Sequence, residues 1–578
     1  MKVFGDLGFL DTSKTDPGSS TEAGEGPELV ADTSRQQDLP SPPADAPASA
    51  GSDGTDHYAA AVRHYLKGEL DEAREDLEKA RAAGKEPAEV YTALAQIHLD
   101  RKKFSEAAEY YVELLAIEPD NSAAQFNAGL ALQATEKYGE AKSSFQTAID
   151  LDPELADAYL GLAGCCLKLD DAEGAKAAYE SYLKSEPDSY AAVFGLGVAH
   201  HLSEDFDKAV EYYQAALKGN PASEEVLSNL ASVFTKQDKY EDAARIFREL
   251  LKLDAESAAA HEGVGYACYR QEQYEEAREH YEALVSVTTD SYEGWYNLGL
   301  VCQKLNRFDE AIEAYTQSLQ LREDAVGVHL NLAACGLEVE KDDEAKALYK
   351  RVLQLDGSSL PALYNLAVLQ EKGEDWAEAA ECYQQLAQVT NSPEPLFRLG
   401  VALHKNGQWR EAANVYEKCV EHKPDWTQAL SNCGIAYLKS NNHEKAEQAF
   451  QKVLELNSDD VDALLGMAAV RSAQENFDDL RNLYAKLAGL KNDSAEILFN
   501  AGLLEQKAEQ PEEAIKYYAQ AVKLRPDFAE AQLNLGVALQ GQGKEAEAVE
   551  CFEKALDLKP DLAKGYFTLR PARPSAQL

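Results

Sequence analysis

Residues 291–324 read SYEGWYNLGLVCQKLNRFDEAIEAYTQSLQLRED, with Trp295, Leu298 and Gly299 in the first half and Ala311 and Tyr315 in the second. The same arrangement recurs in both directions along the chain. Blocks start at 54, 88, 122, 156, 190, 224, 258, 292, 326, 360, 393, 427, 461, 495 and 529; fourteen of the fifteen are 34 residues long and the one at 360 is one shorter. Counting from each start, position 8 is Gly or Ala in every block, from Ala61 through Gly129, Gly299 and Gly434 to Gly536. Position 20 is Ala in fourteen blocks, with Leu480 the exception, and position 24 is Tyr or Phe in fourteen, as in Tyr111, Phe247, Tyr349 and Phe552. Position 32 is Pro in seven, such as Pro119, Pro187 and Pro560. Small residues at 8 and 20 let two helices of one block approach closely, and the aromatic at 24 fills the space against the next block. Polar breakers such as Asn406-Gly407-Gln408 reverse the chain between helices. Each helix pair leaves an apolar face that only its neighbours cover, so the array is stable as a stack.

The pattern over 54–562 resembles the tetratricopeptide repeat family, whose signature is W-x2-L-G-x2-Y, then A-x3-F, then P over 34 residues. The resemblance implies an all-α solenoid of about fifteen helix-turn-helix repeats, coiled into a right-handed superhelix of about two turns with helix A on the concave side. It also implies a protein-interaction scaffold rather than an enzyme. A long array of this kind is similar to the repeat region of O-linked N-acetylglucosamine transferase, and no glycosyltransferase segment follows it here.

Composition narrows the function classes. The chain has 578 residues, with 101 Asp and Glu against 56 Lys and Arg, a net charge of −45. Phosphate binding needs clustered cations, so nucleic acid is not an expected partner, and an anionic membrane surface repels such a chain. Hydrophobic residues make up 45% of the sequence, enough for a core despite the acidity. No run of about 18 apolar residues predicts a membrane-spanning helix. The N-terminus MKVFGDLGFLDTSK lacks a signal-peptide core, and nine scattered cysteines do not form a secreted disulfide framework. The expectation is a cytoplasmic protein.

Residues 1–53 hold ten acidic and three basic residues, a net of −7, and are rich in Ser, Pro, Gly and Ala. This reads as a disordered arm, within which Val3, Phe4, Leu7 and Leu10 keep helical spacing. At the other end, 563–578 begins a helix in AKGYFTL that Pro571 cuts off. The tail is therefore an incomplete cap, and the expectation is that the last helix pair offers a surface for self-association.

Three rows on helix A are candidates for a peptide site. Asn occupies position 6 at Asn127, Asn229, Asn297, Asn331, Asn365, Asn432, Asn500 and Asn534. A carboxamide donates to and accepts from one peptide unit at once, so such a ladder can hold an extended backbone; it can equally satisfy local backbone groups. Positions 5 and 9 are apolar, as in Phe126 and Leu130, Tyr296 and Leu300, Tyr364 and Val368, Phe397 and Val401, and Phe499 and Leu503. These read as side-chain pockets or as packing. Position 13 is basic at Lys168, Lys236, Arg270, Lys304, Lys372, Lys405, Lys439 and Lys507, while acids such as Glu89, Glu293 and Glu530 stand at position 2. Acids at helix starts and bases at helix ends complement the helix dipole, worth about 0.3–1 kcal/mol each; the row also suits acidic segments. Four engaged Asn rungs at about 1 kcal/mol each give only about 4 kcal/mol before ordering costs, so recognition needs the other rows as well.

Catalytic motifs are missing from the sequence: it has no P-loop, no H-E-x-x-H and no G-x-S-x-G. Cys165, Cys166, His200 and His201 fall at positions 10–12 of adjacent blocks, but vicinal pairs lack zinc-site spacing and read as core. No cofactor is expected. The two-carboxylate clamp of chaperone-tail binders in the resembled family is not present in any block. The expected partners are other proteins or peptides, held in the groove; assembly into a larger complex, or targeting of a separate enzyme, are the alternatives.

Overall fold

Helix A of the 292 repeat spans Tyr292–Lys304 and helix B spans Phe308–Leu321, and the local sequence explains both bounds. Ser291 caps helix A by accepting the backbone N–H of Gly294 at 3.0 Å. Glu293 lies in its first turn and Lys304 in its last, matching the dipole. Asn306 then adopts φ 58°, and the Arg307 N–H reaches back to the Cys302 carbonyl at 2.9 Å. This six-to-one bond closes the helix and turns the chain.

A computed structural model describes residues 53–390 and 392–562. Among these residues the unit repeats through thirty α-helices, from Asp53–Leu66 to Glu545–Leu558, with no strand. The predicted arm and the C-terminal tail lie outside the described residues, apart from Asp53, which opens the first helix. By contacts the helices divide into two units, residues 53–323 and 324–562 among those described.

Within each unit the core is a continuous stack. The small residue at position 8 lies under the ring at position 24 of its own repeat. A Cβ added at Gly299 would come within 2.5 Å of Tyr315, one at Gly129 within 2.7 Å of Phe145, and one at Gly502 within 2.6 Å of Tyr518. Those rings are fully enclosed, as are the position-20 alanines such as Ala141, Ala311 and Ala514. Successive A helices also touch: Ala156–Lys168 packs on Tyr190–Leu202 in the first unit, and Pro393–Lys405 on Thr427–Lys439 in the second. Leu480 replaces the usual alanine at position 20 and is still buried, on a helix B that runs Phe477–Leu490 as elsewhere.

Candidate functional site

The residues singled out on helix A divide by depth. At position 5, Tyr296 and Phe397 are buried, and Phe126, Tyr364 and Phe499 are half-buried. The rings of Phe126, Tyr296, Phe397 and Phe499 stand 5.8–5.9 Å from the position-24 rings of their own repeats, Phe145, Tyr315, Tyr416 and Tyr518. Phe397 also stacks on Trp426 at 4.6 Å, and Phe499 meets Phe528 at 4.8 Å. These aromatic pairs cement neighbouring elements. Position 9 varies: Val368 is 40% exposed, Leu503 38% and Val537 41%, whereas Leu130 and Val401 are half-buried and Leu300 is buried.

Four of the asparagines at position 6 reach into the seam between repeats. Asn365 donates from Nδ2 to the hydroxyl of Tyr349 at 3.2 Å, and Asn500 to that of Tyr484 at 3.5 Å. Asn127 and Asn432 hold Tyr111 and Tyr416 in the same way, each bond opposing the upward push that burial gives the phenol. Burial raises the Tyr349 phenol to about 12 even with Asn365 bound to it. Asn229 and Asn534 instead donate to the carbonyls of Glu225 and Glu530 on their own helices, both at 2.9 Å. Asn297 is 1% exposed and Asn331 6%, so both are enclosed; the other six are half-buried.

The sequence held a signal for this pairing that the row of asparagines alone does not reveal. Ten tyrosines stand at position 24 ahead of another repeat, and in eight cases Asn fills the next position 6. Where position 24 is Phe145, Phe247 or Phe450, the next position 6 is Gly161, Gly263 or Gly466. A Cβ at Gly161 would lie 2.6 Å from the Phe145 ring, and one at Gly466 2.3 Å from that of Phe450. At Asn127, Asn365, Asn432 and Asn500 the carboxamide meets the hydroxyl of the tyrosine before it, and after the three phenylalanines a glycine makes room for the ring; Tyr179, followed by Gly195, departs from the rule.

The basic row at position 13 is exposed at Lys168, Lys236, Arg270, Lys304, Lys372, Lys405, Lys439 and Lys507. Lys372 pairs with Asp342 at 2.5 Å. Arg270 stacks on Tyr240 at 4.5 Å and donates to the Tyr266 hydroxyl at 2.6 Å. Lys507 sits 2.9 Å above the Phe477 ring. Each cation also lies in the last turn of its helix, as the dipole argument expects.

The histidine and cysteine cluster is core. Cys165 and Cys166 are buried, and burial pushes the Cys165 thiol up to about 12, far from the thiolate that metal binding or nucleophilic attack requires. His200 stacks on Tyr212 at 5.3 Å, and burial pushes His201 down to about 4. Among the described residues no group of three His, Cys, Asp or Glu is placed to hold a metal ion. No helix of the described residues is long and apolar enough to cross a membrane.

Family models described as tetratricopeptide repeat match residues 88–121, 132–197, 192–225, 229–293, 292–324, 361–389, 393–426, 427–460 and 499–563. The chain belongs to the tetratricopeptide repeat family. No curated protein matches it. Solved structures similar to this tetratricopeptide array include MamA from Desulfovibrio magneticus RS-1, at 23% identity over 30% of this chain and 97% of that one, with a TM-score of 0.29. Another is Naa15/Naa10 bound to HypK-THB, at 14% identity over 90% of this chain and 98% of that one, TM-score 0.34. A third is YrrB, described as a TPR protein with an unusual peptide-binding site, at 22% identity over 32% of this chain and 97% of that one, TM-score 0.29.

Proposed function

We propose that this array is a protein-interaction scaffold that holds extended segments of partner proteins along its helix-A face. The observation that carries the reading is the division of depth on helix A. Position 5 and the inward N–H of the position-6 asparagines belong to the packing. Position 9 at Val368, Leu503 and Val537 and position 13 at Lys405 and Lys439 remain in solvent. An extended chain laid across helices meets an apolar row and a polar row at fixed spacing, which is what side-chain and backbone recognition of a strand-like segment needs. The half-buried Asn127, Asn365, Asn432 and Asn500 each spend one N–H on a tyrosine, and the other N–H and the carbonyl are left to meet a peptide unit. Tyr364 and Lys304 belong to the same face.

A photo-crosslinking amino acid placed at Val368 or Leu503 tests the proposal, with Val112 and Val549, exposed on helix B, as controls. Partner segments crosslink from the helix-A positions; crosslinks confined to the helix-B positions would sink the groove reading. A second reading, an assembly subunit joined through its outer edge, is favoured by one feature. Apolar residues at position 30, including Ile117, Val287, Val389 and Leu456, are exposed near the ends of successive B helices. The same controls report it.

A further inference from the structure

The acidic character of the chain fails at one place. Between residues 53 and 562, the two longest stretches without Asp or Glu are 426–443, of eighteen residues, and 395–410, of sixteen. They are consecutive copies of the same part of the repeat, helix A and the turn into helix B, and their A helices Pro393–Lys405 and Thr427–Lys439 pack on each other. Together they carry Arg398, Lys405, Arg410 and Lys439.

At two other points of the basic row a cation is answered by acid. Lys372 pairs with Asp342, and Arg270 lies 3.7 Å from Asp238. The left-handed turn residue at position 15 is acidic at Glu136, Asp170, Glu204, Asp238, Glu272, Glu340, Glu374, Glu475 and Glu509. In these two repeats it is Gly407 and Asn441. Arg398 is committed to Glu371 and Glu394, at 3.6 and 3.8 Å. Among the described residues Lys405, Arg410 and Lys439 are exposed and form no ion pair. His404 has its basicity lowered first by burial and then by Lys405 and Lys439, with no acid opposing them. Around the cations lie exposed carboxamides, Asn406, Gln408, Asn441 and Asn442.

We propose that the helix-A ends and turns of the 393 and 427 repeats are the docking point for an acidic, extended segment of a partner protein. This rests on the helix-A face being the binding surface and names the chemistry of its ligand there. Carboxylates meet two unanswered lysines and an arginine, while the carboxamides donate to the segment's backbone. A nucleic acid fits less well. The rings that would stack on bases are already covered, Trp409 by His404 at 4.7 Å and Trp426 by Phe397 at 4.6 Å, and a net charge of −45 repels a polyphosphate along the rest of the chain.

Fluorescence anisotropy with a labelled peptide of alternating Glu and Ser tests this on the full chain. The peptide binds at low salt and weakens as ionic strength rises and the Debye length shrinks to about 10 Å or less. Lys405→Glu with Lys439→Glu weakens it by roughly tenfold or more, whereas Lys405→Arg with Lys439→Arg keeps it. All four substitutions are at exposed positions, and unchanged far-UV circular dichroism confirms the fold. Equal binding by wild type and the double Glu variant overturns the proposal. So does equal binding of a Gln-Ser peptide, or tighter binding of a single-stranded DNA oligonucleotide at the same lysines. A chain lacking residues 1–52 that binds severalfold more tightly also overturns it, by making the chain's own acidic arm the occupant. If helix-A crosslinks persist while the Glu-Ser peptide fails to bind, this inference falls and the scaffold reading stands.

Discussion

Tyr349 is fully buried and keeps its hydroxyl in the seam between two repeats, where Asn365 donates to it. Removing the amide leaves that hydroxyl without its donor in a place water does not reach. Asn365→Ala therefore costs about 1–2 kcal/mol, and Tyr349→Phe about 1 kcal/mol. The double variant loses less than the sum, with a coupling of about 1 kcal/mol, because the partner is no longer stranded; strictly additive losses in urea unfolding would show the bond contributes nothing. His201 supplies an acid-side prediction. Its folded pKa of about 4 lies below the ordinary 6.5, so the unfolded chain binds the proton more readily. The stability this neutral histidine carries is complete above about pH 6.5. It is lost as pH falls toward 4, by about 3 kcal/mol. His201→Phe should flatten that loss, seen as a smaller drop in Tm between neutral pH and pH 4.5. The row of asparagines was legible in the sequence, whereas its inward partner stands in another column of the repeat. The 34-residue period draws the eye along one column, and the pairing lies between two columns, Tyr349 with Asn365 and Phe145 with Gly161.

The turn between helices shows what one element imposes on another. Position 15 has positive φ in every repeat, yet glycine fills it only at Gly68, Gly407 and Gly543. Glu204, at φ 57°, follows helix A of the 190 repeat, and the Asp205 N–H next to it closes on the His200 carbonyl at 2.9 Å. An unbranched side chain tolerates this conformation at modest cost, whereas a β-branched one clashes with the backbone. Glu204→Val should cost about 1–2 kcal/mol, while Glu204→Gly should change stability little, relief of strain offsetting added freedom of the unfolded chain. Differential scanning calorimetry separates the two; a valine variant with wild-type Tm would show the turn relaxes freely. The helix pairs themselves were readable from the small residues at 8 and 20 and the ring at 24. The turns were less so, because packing on both sides, rather than glycine, holds the left-handed residue.

On the scale of the molecule, a stack in which the helices of each unit touch their sequence neighbours localises both damage and stability. The sequence conveyed that architecture fully, since a period kept over fifteen copies has one structural meaning, while depth on helix A depended on side chains from adjacent repeats. Gly299 offers a direct test of locality. A Cβ there lies 2.5 Å from the ring of Tyr315, which is fully enclosed and hydrogen-bonded to Gln303 at 2.9 Å. Gly299→Val must push that ring aside, at about 2–3 kcal/mol. In a globular domain such a loss lowers protection everywhere. Here amide exchange should speed by roughly 30- to 150-fold in helices Tyr292–Lys304 and Phe308–Leu321 and in the neighbouring helix Tyr274–Val287. Helices Thr427–Lys439 and Ala495–Lys507 should exchange at the wild-type rate. Exchange followed by mass spectrometry reads both regions in one experiment; uniform acceleration along the chain would mean the array opens as one cooperative body and that distant repeats share their stability.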